Sequence, residues 1–272
     1  MLQTSAVVYC AVDSLLPIRG KTYPGFGDFS AELEHAGVPI VWVSSRTRFQ
    51  LDAPRRELGH SHPFIAEGGC GVYLPEGYFH LPLTKAIRLG RFTCIPVAEP
   101  QPAASEALAE LSEETGVPAV TLASLRPREL AQNLGLATRE AELARHRDFD
   151  EPFFFAGNSM EDTERFVVQA GERKLQLRQN GALWSLAVGA SLKRCVLELS
   201  KLYDRALRSH PTILGIATPD EAKELFPACD RTILLSSESS DTETPSFRAT
   251  REIPLAVPDV WDRVLEGITA RR

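Results

Sequence analysis

The segment Ala6-Val7-Val8-Tyr9-Cys10-Ala11-Val12-Asp13-Ser14-Leu15-Leu16 does most to limit the fold. Ala6 to Val12 is apolar throughout, with no polar residue at alternate positions. A strand with one wet face would alternate, so this run predicts a strand covered on both faces, as in a parallel sheet. It breaks at the polar pair Asp13-Ser14. Pro39-Ile40-Val41-Trp42-Val43 repeats the pattern and ends in Ser44-Ser45-Arg46-Thr47. Between the two strands a short helix over Phe29 to Ala36 stops at Gly37. A helix over Arg48 to Leu58, a strand at Phe64-Ile65-Ala66 and a glycine-rich turn into Val72-Tyr73-Leu74 follow.

The middle of the chain differs. A joint rich in Pro and Ala at Pro96 to Pro102 leads to helices at Ser105 to Thr115, Arg126 to Leu134 and Thr138 to Arg147. A strand at Phe153 to Ala156 and a helix at Ser159 to Ala170 come next. Lys174 to Arg178 and Leu183 to Leu186 form a predicted hairpin across Gln179-Asn180-Gly181, because Asn-Gly favours the positive φ of a tight turn. The last third returns to α/β order. It has helices at Ser191 to Arg208, Asp220 to Phe226 and Val257 to Ala270, strands at Thr212 to Ile216 and Thr232 to Leu235, and a polar loop at Ser236 to Thr244. The expected architecture is an α/β core with a parallel sheet, over 1–82 and 188–272, carrying an inserted α+β cap over 83–187.

Composition removes several classes of function. The formal net charge is −6 and no basic run occurs, which argues against nucleic acid as a partner. No apolar stretch is long enough to span a membrane, and the N-terminus lacks the pattern of a secretion signal. The 5 cysteines form no CxxC pair, so neither a zinc site nor a disulfide framework is expected, and a reducing cytoplasm fits. His60-Ser61-His62 has a metal-like spacing but no evident third ligand, and is expected as a solvated loop pair.

The order core, cap, core and several short motifs resemble haloacid dehalogenase-like (HAD) phosphatases with a C2B-type cap, and within them the mannosyl-3-phosphoglycerate phosphatase group. Ala6 to Leu16 resembles the first motif of that family, Val41 to Arg48 the second, and Leu214-Gly215-Ile216-Ala217-Thr218 the fourth. Pro63 to Pro75 resembles its Glu-Asn-Gly turn, with Gly68 in place of Asn. Arg147 to Phe153 resembles the cap segment whose Arg and Glu hold the phosphoglycerate part of the substrate.

The resemblance implies a reaction whose groups are partly missing here. Phosphoryl transfer to a carboxylate needs a nucleophile, a general acid, a cation on the phosphoryl oxygens and Mg²⁺. The nucleophile position is Ala11, the lysine position is Val188 and the metal-binding Asp position is Thr218. Asp13 keeps the acid/base position and equally suits a turn cap. Ser44 and Ser45 are candidate phosphate ligands, Ser44 being also a candidate helix cap. Arg147 and Glu151 are candidate cap ligands, or a mutual ion pair. Asp220 and Glu221 are metal ligands or partners of a helix dipole, and Lys193 lies off the lysine position. The leading expectation is a catalytically inactive pseudophosphatase that binds a phosphorylated sugar or a protein partner without a cofactor. The alternative is a Mg²⁺-dependent phosphomonoesterase acting on a phosphorylated sugar or sugar acid such as mannosyl-3-phosphoglycerate.

Overall fold

A computed structural model describes residues 6–16, 21–157, 159–236 and 249–269. Two sheets organise it. The larger comprises β1 (Ala6–Ala11), β2 (Ile40–Val43), β3 (Phe64–Ala66), β4 (Gly71–Pro75), β5 (Ile87–Leu89), β6 (Phe92–Pro96), β11 (Thr212–Ala217), β12 (Arg231–Ser236) and β13 (Arg251–Pro254), in the order β13-β12-β11-β1-β2-β3-β4-β6-β5. From β13 to β3 every pairing is parallel, and beyond β3 the pairings are antiparallel.

The apolar run of β1 has the predicted cause. Val8, Cys10 and Val12 enter one hydrophobic cluster and Val7, Tyr9 and Ala11 another, on opposite faces of the pleat. The first face packs against α1 (Phe26–His35), α2 (Arg48–Glu57) and α9 (Val260–Thr269) through Phe26, Phe29, Leu51, Trp261 and Val264. The second packs against α7 (Leu192–Leu207) and α8 (Pro219–Leu225) through Cys195, Val196, Leu199, Ala222 and Leu225.

The smaller sheet is antiparallel: β7 (Ala119–Thr121), β8 (Glu151–Phe155), β10 (Leu183–Val188) and β9 (Leu175–Asn180), in that spatial order. Its apolar face packs under α3 (Gln101–Thr115) and α6 (Met160–Glu172), where Leu108, Leu111, Phe153, Phe166 and Leu186 are buried together. A small helical cluster, α4 (Pro127–Leu134) with α5 (Thr138–Arg145), sits at its edge around Leu130 and Ala141.

Two expectations are corrected. The cap was expected to begin at residue 83, but the hairpin β5–β6 that follows pairs with β4 in the large sheet, in register Gly71↔Pro96 through Pro75↔Phe92. The reason is apolar: Phe92 and Cys94 are buried beside Phe64 and Tyr73, with the Phe64 and Phe92 rings 5.1 Å apart. The histidines of His60-Ser61-His62 are not solvated. His60 is buried with its ring 4.2 Å from that of Trp42, and His62 contacts the Tyr78 hydroxyl at 2.7 Å. The expected polar loop at Ser236 to Thr244 lies beyond Ser236 outside the described residues, as does Ala270 of the expected last helix. No helix among the described residues is long and apolar enough to cross a membrane.

Candidate active site

The C-terminal ends of β1, β2 and β11 open into a cleft of about 650 Å³ between the two sheets' layers. Ala11, Asp13, Ser14, Ser44 and Ser45 line its floor. Asp220, Glu221, Lys223 and Glu224 of α8 form one wall, and Arg178, Gln179 and Asn180 of the β9–β10 hairpin form the other. Ligands gather at such strand ends because the loops there diverge from the sheet.

Asp13 is the centre of the floor. Ser44 Oγ donates to its Oδ1, and both Ser45 N–H (2.8 Å) and Ser45 Oγ (2.6 Å) donate to Oδ2. Arg46 Nε lies 3.6 Å from Oδ1, and Arg46 Nη2 donates to the Asp13 carbonyl at 3.1 Å. Asp13 is therefore not a cap of its own turn; its carboxylate is held across the floor by the loop after β2. That use settles the two serines. Ser44 is not the helix cap, because Thr47 caps α2 in a reciprocal box with Gln50, and the hydroxyls of Ser44 and Ser45 are turned to Asp13.

The second acid of the cleft is Glu221. Its Oε1 accepts Asp13 N–H at 3.1 Å and its Oε2 accepts Thr218 Oγ1–H at 2.7 Å. Burial, and then the neighbouring charge of Asp13, raise its carboxyl above the usual range. Thr218, at the implied metal-Asp position, thus holds a carboxylate that arises one helical turn later. The reading of Glu221 as a dipole partner missed this, since spacing along a helix cannot show that a side chain bonds to a loop 208 residues away.

Val188 lies outside the cleft. It pairs with Leu175 in the small sheet and its carbonyl accepts Glu99 N–H at 2.9 Å. Lys193 lines not this cleft but an adjoining hollow that shares Gly68, Arg178 and Glu224 with it. The cations at the cleft are instead Arg178 and Lys223, with Arg46 beneath. Burial pulls the Arg46 guanidinium below its usual value, countered by Asp13, Glu221 and Glu140.

Arg147 and Glu151 neither pair with each other nor line this cleft. Arg147 makes a two-pronged ion pair with buried Asp150, at 2.6 and 2.9 Å, and reaches the Ser45 carbonyl at 3.3 Å. Asp150 and Glu67 hold the Arg147 guanidinium above its usual value against the burial that lowers it. Glu151 accepts hydrogen bonds from Gln101 and Ser105, and burial raises its carboxyl. Sequence reasoning also missed Glu67, fully buried with φ 49°, whose carboxylate accepts N–H from Asp148, Phe149 and Asp150 at 3.0, 2.9 and 3.2 Å. It ties the β3–β4 turn to the strand entering the small sheet.

Mg²⁺ suits one or two carboxylates with free oxygens, completed by water and phosphate. The oxygens of the two central acids are already engaged by the protein, and the cleft's other carboxylates, Asp220 and Glu224, stand on the α8 wall. Asp13 uses both oxygens on three hydrogen bonds and faces a guanidinium, which also takes its carbonyl. Each oxygen of Glu221 accepts a protein donor. Among the described residues no group of three or more His, Cys, Asp or Glu is placed to hold a metal.

No protein-family model matches the chain. A glucosyl-3-phosphoglycerate/mannosyl-3-phosphoglycerate phosphatase from Methanococcoides burtonii is 24% identical over 197 residues, spanning 71% of this chain and 70% of that protein. One of the same description from Persephonella marina is 24% identical over 215 residues, spanning 77% of each. Among solved structures, a HAD subclass IIB sugar phosphatase superposes with a TM-score of 0.64 at 11% identity, over 96% of this chain and 98% of that one. The chain has the HAD-like α/β fold, a parallel sheet with a separate antiparallel cap sheet. Its relatives include mannosyl-3-phosphoglycerate phosphatases. These relatives overturn the expectation of a catalytically inactive scaffold, since the proteins the chain matches along most of its length are phosphatases.

Proposed function

We propose that the protein is a phosphomonoesterase acting on a phosphorylated sugar acid of the glycosyl-3-phosphoglycerate type. The observation that carries this is the pair Asp13–Glu221. Two carboxylates share one cleft, one held by an arginine and three hydrogen bonds, the other raised by burial and by the first. Unlike environments for two neighbouring acids suit a base and an acid respectively.

Ala11 offers a methyl group and no nucleophile, so the attacking oxygen is water's. Asp13 takes a proton from that water as its oxygen bonds to phosphorus. The bond from phosphorus to the ester oxygen breaks, and Glu221 gives its proton to that departing oxygen, which leaves as the product's hydroxyl. The products are the free sugar acid and orthophosphate. The phosphoryl charge is met by the cations at the cleft, Arg178 and Lys223.

The test is phosphate release from mannosyl-3-phosphoglycerate and glucosyl-3-phosphoglycerate, with EDTA and with added Mg²⁺. Release in EDTA that is lost in Asp13→Asn supports the reading. No release from either ester under either condition would refute it.

A further inference from the structure

Arg178 stands out because its position needs an unusual backbone below it. Its Nη2 donates to the Gly68 carbonyl, and its Nη2 and Nε meet Glu224 at 2.7 and 3.3 Å. A Cβ built on Gly68 would lie 1.2 Å from Arg178 Nη1 and 1.9 Å from Cζ. Gly68 also has φ +58°, a conformation that side chains rarely adopt. Any residue but glycine at 68 must therefore expel the guanidinium. The family resemblance places Asn at this very position. Arg178 comes from β9 of the small sheet, yet it ends over a turn of the large sheet and lines the cleft that holds Asp13 and Glu221.

We propose that Arg178 is the cation that binds the phosphoryl group. It is delivered from the cap, seated by the absence of a side chain at Gly68, and parked on Glu224 until an anion takes that carboxylate's place. Three features support the assignment. The lysine implied by the family falls at Val188, which is outside the cleft, so the positive charge must come from elsewhere. Glu224 holds Arg178 ionised, above its usual value despite burial. The Glu224 partner is half exposed, at 49% of its side chain, so a phosphate can displace it without opening the core. The planar guanidinium edge that now forks onto the two oxygens of Glu224 matches two oxygens of a phosphate equally well.

The inference rests on the phosphomonoesterase reading only for the identity of the anion, so binding and turnover are measured separately. Binding is followed by calorimetry with orthophosphate, and turnover by phosphate release from mannosyl-3-phosphoglycerate. Arg178→Gln is expected to weaken orthophosphate at least tenfold, and Arg178→Lys to weaken it less. Glu224→Gln removes the competing carboxylate and is expected to tighten binding. A merely structural ion pair would instead make Arg178→Gln and Glu224→Gln change binding in the same direction. Gly68→Asn is expected to copy Arg178→Gln, and the double variant to be no weaker than either single one, because both remove the same guanidinium. Circular dichroism confirms that each variant is folded. Wild-type binding left unchanged by Arg178→Gln, or no orthophosphate binding by the wild type, overturns the inference. Loss of binding in Arg178→Gln, with no turnover by the wild type, would support it while removing the phosphomonoesterase reading.

Discussion

His60 makes the stability of the fold depend on pH in a direction that can be worked out. Its Nδ1 accepts Arg55 Nε–H at 3.1 Å, so its Nε2 carries the proton and donates to the Ile40 carbonyl at 2.8 Å. A second proton on Nδ1 would face the Arg55 donor and its charge. Burial, then Arg55, hold the ring well below its ordinary value of 6.5, the adjacent His62 adding to this against the Ile40 hydrogen bond. The unfolded chain takes up that proton near pH 6.5 and the folded chain does not. The contribution is thus fully present above the unfolded value and is lost as pH falls below it. One proton taken up only by the unfolded state costs about 1.4 kcal/mol per pH unit, so moving from pH 7 to pH 5 removes at most roughly 1.9 kcal/mol. Urea titrations at pH 7, 6 and 5 measure this directly. His60→Gln should have a lower starting stability, since the ring packs on Trp42, but should lose up to about 1.9 kcal/mol less over the same range. His62, depressed by burial but countered by Glu34, is controlled with His62→Gln. Parallel pH profiles for the wild type and His60→Gln would refute the reasoning.

Three further outcomes follow from the cleft and its supports. Glu221→Gln should lower kcat by about 10²-fold, the usual contribution of a general acid. Because its carboxyl is raised, the wild-type pH–rate profile should fall on the alkaline side above the usual carboxylate range, and this limb should vanish in the variant. Arg147→Met leaves Asp150 buried beside Glu67 without its cation and should cost about 3–5 kcal/mol by thermal or urea denaturation. Ala11→Asp adds a carboxylate at the mouth of β1, beside Asp13 in the cleft, and should bind Mg²⁺ more tightly than the wild type by calorimetry.

The fold was legible because it rests on patterns local to each segment. Ala6 to Val12 is apolar on both faces because helices cover both, and Asn180-Gly181 turns a hairpin because Gly181 takes φ +60°. The hairpin β5–β6 escaped because its membership depends on Phe92 reaching Phe64, a contact no local pattern contains. The site was legible only in its floor. Asp13, Ser44 and Ser45 come together as the strand ends dictate, but their roles follow from which oxygen each hydroxyl faces. The remaining charges reach the cleft from positions where motif spacing does not look. Glu221 arrives one turn of α8 beyond Thr218, and Arg178 crosses from β9 into space that a side chain at 68 would fill. A motif fixes which backbone position usually bears a charge, whereas chemistry depends on where the charged atoms end up. On the proposed reading, the acid and the cation absent at Thr218 and Val188 are supplied in space by neighbouring elements. Reading the losses one position at a time makes such a cleft look inert, although four acids and two cations still line it.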